Sequence, residues 1–160
     1  MGEVKLNDLY QEVILDHNRR PRNFRKPEGA THYSHGRNPL CGDDYHLYLK
    51  VDGSGKIESV GFEGSGCAIS KSSASMMTSF IEGKPVKDAE ALKNQFLRFL
   101  TRDPVSEDTR AAVGRLKIFE GVRQFPVRVK CATLIWHALE DALADAGRKK
   151  GQVSTEGEGK

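Results

Sequence analysis

The stretch Asn38-Pro39-Leu40-Cys41-Gly42-Asp43-Asp44 sets a thiol and a carboxylate two positions apart around a glycine. Read as an extended segment, it turns Cys41 and Asp43 to one face, because strand side chains alternate with period two. Gly42 tolerates backbone dihedrals that other residues refuse, so the main chain can pass close to a bound ion. The remaining two cysteines, Cys67 and Cys131, each stand just before an expected helix. Thiolates and carboxylates are zinc ligands, and a closed tetrahedral site takes four of them. The expectation is that Cys41, Asp43, Cys67 and Cys131 meet at one metal ion.

Other readings of the same residues stand beside this one. A lone cysteine is also a small buried hydrophobe. Asp43 also reads as a turn residue, with Asp44 as the ligand, and His35 is a fourth or competing ligand. Local context favours the metal reading. Cys41 and Cys67 lie beside glycines at the ends of elements, and Cys67 and Cys131 are expected to open helices, where the backbone dipole favours a thiolate. Arg128 and Lys130 push Cys131 the same way.

Outward from the motif, the chain reads as a small antiparallel sheet. Tyr33 to about Val51 is extended, with Gly36 and Pro39 as interruptions, and Tyr45, Leu47 and Leu49 alternate with His46, Tyr48 and Lys50. Asp52-Gly53-Ser54-Gly55 is a hairpin turn. Ile57, Val60 and Phe62 form the returning strand, with an irregularity near Glu58-Ser59. Helical spacing marks residues 6–17, with Leu6, Leu9, Val13 and Ile14 on the apolar side. It marks a second helix from Cys67 to Ile81, closed by Gly83 and Pro85, whose serines and Ala74 suit close packing against the sheet. A third helix spans Val86 to Leu100. Val105 to Arg115 reads as a short, dispensable surface helix, and the last helix runs from about Cys131 to Ala146, capped by Gly147. Residues 1–147 make one α+β domain with an insertion at about 101–115, and the polar residues 148–160 are expected to be disordered.

Composition narrows the function classes. The 160 residues are 38% hydrophobic and 29% charged, ordinary for a globular domain, with a net charge of +3. No apolar run approaches the roughly 20 residues needed to span a bilayer. Three cysteines, an odd count, argue against a closed disulfide framework, and with no apolar signal-like stretch after Met1 the cytoplasm is expected. The basic turn from His17 to Lys26 is a solvated helix exit or a docking surface for an acidic partner. Its one aromatic, Phe24, is too few for base stacking, so no nucleic acid is expected.

Three segments carry a resemblance: Asn38 to Asp43, Gly64-Ser65-Gly66-Cys67-Ala68-Ile69-Ser70, and Val127-Arg128-Val129-Lys130-Cys131-Ala132. They resemble, in order, the three cysteine motifs of the U-type (IscU/NifU-like) iron–sulfur cluster assembly proteins. Leu9-Tyr10, Asp16-His17 and Pro21-Arg22-Asn23 are similar to that family too, so the likeness runs over roughly residues 6–146. Within it the chain resembles the SufU branch. The histidine that IscU-type proteins carry before the third cysteine is Lys130 here, and their Leu-Pro-Pro-Val-Lys segment is absent. The interval from Cys67 to Cys131 is also long.

The resemblance implies a three-stranded antiparallel sheet against several helices. It implies a zinc-dependent sulfur-transfer protein, with Cys41 accepting persulfide sulfur from a pyridoxal-phosphate cysteine desulfurase of the SufS type. Downstream iron–sulfur assembly proteins would then receive the sulfur. The alternative is a scaffold holding a labile [2Fe–2S] cluster on the same thiolates and carboxylate.

Overall fold

A computed structural model describes residues 6–144 and 152–154 of the chain. The elements follow as α1 (Leu6–Arg19), β1 (His32–Asn38), β2 (Asp43–Val51), β3 (Ile57–Ser65), α2 (Ala68–Ile81), α3 (Val86–Thr101), α4 (Glu107–Val113), a 3₁₀ segment (Gly114–Val122), α5 (Pro126–Ala144) and β4 (Gln152–Ser154). The sheet order is β3-β2-β1-β4. Strands β1 and β3 each run antiparallel to the β2 strand between them, as the α+β reading requires. Lys50 pairs with Ser59 and Val51 with Ile57, which leaves Glu58 as the extra residue of a bulge, where the irregularity is expected.

Alternation along the strands sets the two faces. Tyr45, Leu47 and Leu49 of β2 and Val60 and Phe62 of β3 are fully buried. On β1 the same inward face carries Ser34, Gly36 and Asn38. Gly36 does not interrupt the strand but pairs with Tyr45 inside it. Only Pro39 to Gly42 leave the sheet, so the motif is the turn of a β1–β2 hairpin rather than a continuous strand.

The helices cover the inward face. Trp136 of α5 packs against Phe96 of α3 with ring centroids 4.9 Å apart, and Phe119 of the 3₁₀ segment meets Phe96 edge-on at 5.9 Å. The serines of α2 permit close packing, against the sheet at Ser70, which meets the Tyr45 hydroxyl, and also against α5 and the end of α1. Ser73 Oγ donates to the Ala132 carbonyl at 2.6 Å and accepts from Trp136 Nε1 at 3.0 Å. Ser75 Oγ meets His17 Nδ1 at 2.7 Å and accepts from the Arg22 amide at 2.8 Å.

The basic turn after α1 spends charge inside the chain. Arg20 and Arg22 both reach Asp16, at 2.6 and 2.9 Å, and hold its carboxyl at about 2. Phe24 packs edge-on to Phe62 at 5.1 Å.

In the region read as an insertion, Ser106 caps α4 by accepting from the Thr109 amide, and Thr109 and Val113 are buried. Gly147 and most of residues 148–160 lie outside the described residues, as do the side chains of Leu6 and Leu9. Within that tail, Gln152–Ser154 is extended and runs parallel to β1, with His35 opposite Gln152. The outer edge of β1 offers free backbone groups that such a segment can pair.

Candidate metal centre

Three elements bring two thiols and a carboxylate together. Cys41 sits in the hairpin turn, where its amide donates to the Asn38 carbonyl at 3.1 Å and Gly42 turns with φ +73°. That positive φ is what a glycine supplies at little cost. Asp43 is the first residue of β2 and points inward, 2% exposed. Cys131 lies on α5, also 2% exposed. Ligand atoms of Cys41, Asp43 and Cys131 lie within 4.8 Å of one another, and the Cys131 thiol approaches Cys41 Sγ to 3.1 Å. That separation is well beyond the roughly 2.05 Å of a disulfide, and all three cysteines are free.

Cys67 stands at the rim of this group. It is the N-cap of α2, as expected, with its sulfur accepting from the Ser70 amide at 3.4 Å. Its own amide donates to Asp43 Oδ1 at 3.0 Å. The backbone of the second cysteine motif therefore positions the carboxylate, while its thiol lies outside the tight cluster. Gly66 permits this approach, since a Cβ there would stand 2.5 Å from Asp43 Oδ1 and from Ser70 Oγ.

Two expectations need correction. α5 begins at Pro126, so Cys131 falls in the second turn and gains nothing from the positive helix end. Proline suits a first helical position as well as a turn. Burial, first of all, pushes the Cys131 thiol up, and its bond to Cys41 and the nearby Cys67 and Asp43 push the same way. Arg128 is exposed and lies over the Phe125 ring at 4.8 Å. Asp44 and His35 do not join the thiols either. They face the opposite side of the sheet, where His35 Nε2 meets Asp44 Oδ1 at 2.7 Å.

Asn38 is a site residue that sequence reading misses. It is fully buried, its Nδ2 donates to Cys131 Sγ at 3.7 Å, and its Oδ1 has no hydrogen-bond partner among the described residues. Asp43 Oδ2 is likewise buried without a hydrogen-bond partner. Behind them, burial first of all raises the Tyr45 phenol, with Asp43 and the two cysteines nearby acting the same way, and the phenol shares a 3.1 Å hydrogen bond with Ser70 Oγ. A buried carboxylate oxygen without a partner is costly. Together with two thiols in reach it forms a donor set that fits a zinc ion.

Residues 9–132 match the family described as the NifU-like N-terminal domain. The chain is 40% identical over 144 residues to a protein of Bacillus subtilis named zinc-dependent sulfurtransferase SufU, with 88% of this chain and 93% of that one covered. It is 38% identical over 145 residues to the iron–sulfur cluster assembly scaffold protein IscU of Streptococcus pyogenes, covering 89% and 87%. Among solved structures it superposes, with a TM-score of 0.76 and 34% identity, on an iron–sulfur cluster assembly scaffold protein for the SUF system from Fervidobacterium islandicum. That match covers 87% of this chain and 99% of the other. The chain belongs to the NifU-like N-terminal domain family, the U-type proteins of iron–sulfur cluster assembly, and falls with its SufU branch.

Proposed function

We propose that this protein is a zinc-dependent sulfur carrier that accepts persulfide sulfur on Cys41 from a pyridoxal-phosphate cysteine desulfurase in the cytoplasm. The observation that carries the reading is the half-buried Cys41 in a hairpin turn, beside the buried Cys131 and the Oδ2 of Asp43 that has no hydrogen-bond partner among the described residues. Cys41, Asp43, Cys67 and Cys131 would hold the zinc ion, which when bound keeps thiolates ionised at neutral pH.

The transfer needs only residues of this chain and the partner's persulfide. The Cys41 thiolate attacks the outer sulfur of the desulfurase persulfide, the sulfur–sulfur bond there breaks, and the desulfurase cysteine leaves as a thiolate. Cys41 then carries the new sulfur–sulfur bond, and no oxidant or reductant is consumed. Asp43, anchored by the Cys67 amide, keeps its place while the turn presents Cys41. The exposed Leu40 (59%), Phe125 and Val127 flank the two cysteine-bearing elements and suit an apolar protein contact.

The second reading, a scaffold for a labile [2Fe–2S] cluster, draws on the relatives named IscU. Lys130, at the position where the family resemblance gives IscU-type proteins a histidine, favours the carrier. The experiment is alanine production by the desulfurase with added reductant, comparing zinc-loaded and metal-stripped protein. The carrier reading expects a large zinc-dependent stimulation that Cys41→Ala removes. No stimulation, with a stable cluster forming on added iron and sulfide, supports the scaffold instead.

A further inference from the structure

The sheet face opposite the thiols holds a second cluster of metal-ligating side chains. Inward Ser34, Gly36 and Asn38 leave Tyr33, His35 and Arg37 of β1 on the other side, beside Asp44, His46 and Tyr48 of β2. His35 pairs directly with His46 across the two strands, and Asp44 lies two residues before His46 on the same face. We propose that His35, Asp44 and His46 form a second metal site, for a divalent transition cation of the zinc type.

The strand register already converges three donors. His35 Nε2 is 2.7 Å and His46 Nε2 4.0 Å from the same Asp44 Oδ1, and the three ligand atoms lie within 4.8 Å of one another. Zinc–nitrogen bonds of about 2.0–2.1 Å in a tetrahedron put neighbouring ligand atoms about 3.3 Å apart. The two observed separations bracket that value, so the site needs adjustment of side chains and not of backbone. The imidazole rings now stack at 4.2 Å with planes 12° apart, and coordination requires them to splay about χ2. Both are only half-buried, which leaves room.

The outer hydrogen bonds suit the assignment. Tyr33 OH lies 2.6 Å from His46 Nδ1, which leaves Nε2 toward the carboxylate, and such partners orient metal-bound histidines. Arg37 Nε stands 3.9 Å from Asp44 Oδ2, so the guanidinium opposes a cation from the far oxygen rather than from the one between the histidines. Imidazole and carboxylate without thiolate select zinc, nickel or copper(II) over soft metals. Three protein ligands leave the fourth position to water. None of these residues belongs to the thiol cluster, so either site can fail alone.

The test uses the full chain preloaded with one equivalent of Zn²⁺, titrated calorimetrically with further Zn²⁺ while histidine ring resonances are followed by NMR. Wild type is expected to take a second equivalent that shifts the rings of His35 and His46. The His35→Gln/His46→Gln variant is expected to keep the first equivalent and a native circular dichroism spectrum, and to lose the second. Saturation of wild type at one equivalent overturns the proposal, as does a second equivalent that persists in the variant. Should the variant misfold, a wild-type second equivalent that leaves both rings unshifted overturns it equally.

Discussion

Asp43 and Asp44 are consecutive carboxylates on opposite faces of β2, so one peptide unit separates a thiol environment from an imidazole environment. Period-two alternation made the inward choice of Asp43 legible, because Tyr45, Leu47 and Leu49 share its parity and are all buried. Asn38 was not legible. Its contact to Cys131 spans 93 positions, and nothing local to Asn38-Pro39 announces a distant sulfur.

His17 shares the helical spacing of the apolar residues of α1 and makes a pH prediction at this scale. It is 7% exposed, and burial, helped by Arg22, lowers its pKa from 6.5 to about 4. Ser75 Oγ already accepts from the Arg22 amide, so its proton is free for Nδ1 of a neutral ring. The unfolded chain binds this proton near pH 6.5 and the native one only near 4, so stability falls as pH drops through that window. The contribution is about 2–3 kcal/mol. Urea titrations at pH 7 and pH 4.5 should show a smaller loss in His17→Gln than in wild type. Equal losses would contradict this.

Periodicity located the helices, because apolar residues at helical spacing need no tertiary knowledge. It misplaced the start of α5, since Pro126 serves equally as a stop and as a first helical residue, and only tertiary packing decides. It set the serine-rich flank of α2 against the sheet without showing what else that flank meets. The answer is a polar seam in which Ser73 bridges the Ala132 carbonyl and Trp136 Nε1. Ser73→Ala strands Trp136 Nε1 in the core, while the Ala132 carbonyl keeps its helical bond, and an unsatisfied buried donor is worth about 1–3 kcal/mol. Chemical denaturation should therefore show a loss of at least about 1 kcal/mol with the fold retained. A change within a few tenths would mean that α2 and α5 are held by apolar packing alone.

At the scale of the molecule, the fold is a platform that brings three remote cysteine segments to one end of a hairpin. The α+β class and the antiparallel sheet follow from alternation, and the order of the three motifs carried the family. The short parallel β4 did not follow, because Gln152–Ser154 has little apolar pattern to signal a strand. Proteins with two thiols in a crowded pocket can serve as carriers, scaffolds or plain metal stores, and only the fate of a sulfur atom separates them. The decisive measurement is peptide mapping by mass spectrometry after zinc-loaded protein is incubated with a cysteine desulfurase and cysteine, without reductant. One added sulfur atom on the Cys41 peptide, absent from Cys41→Ser, is the expected result. Sulfur found on Cys67 or Cys131 instead, or on no cysteine of the chain, would contradict the assignment of Cys41 as the acceptor.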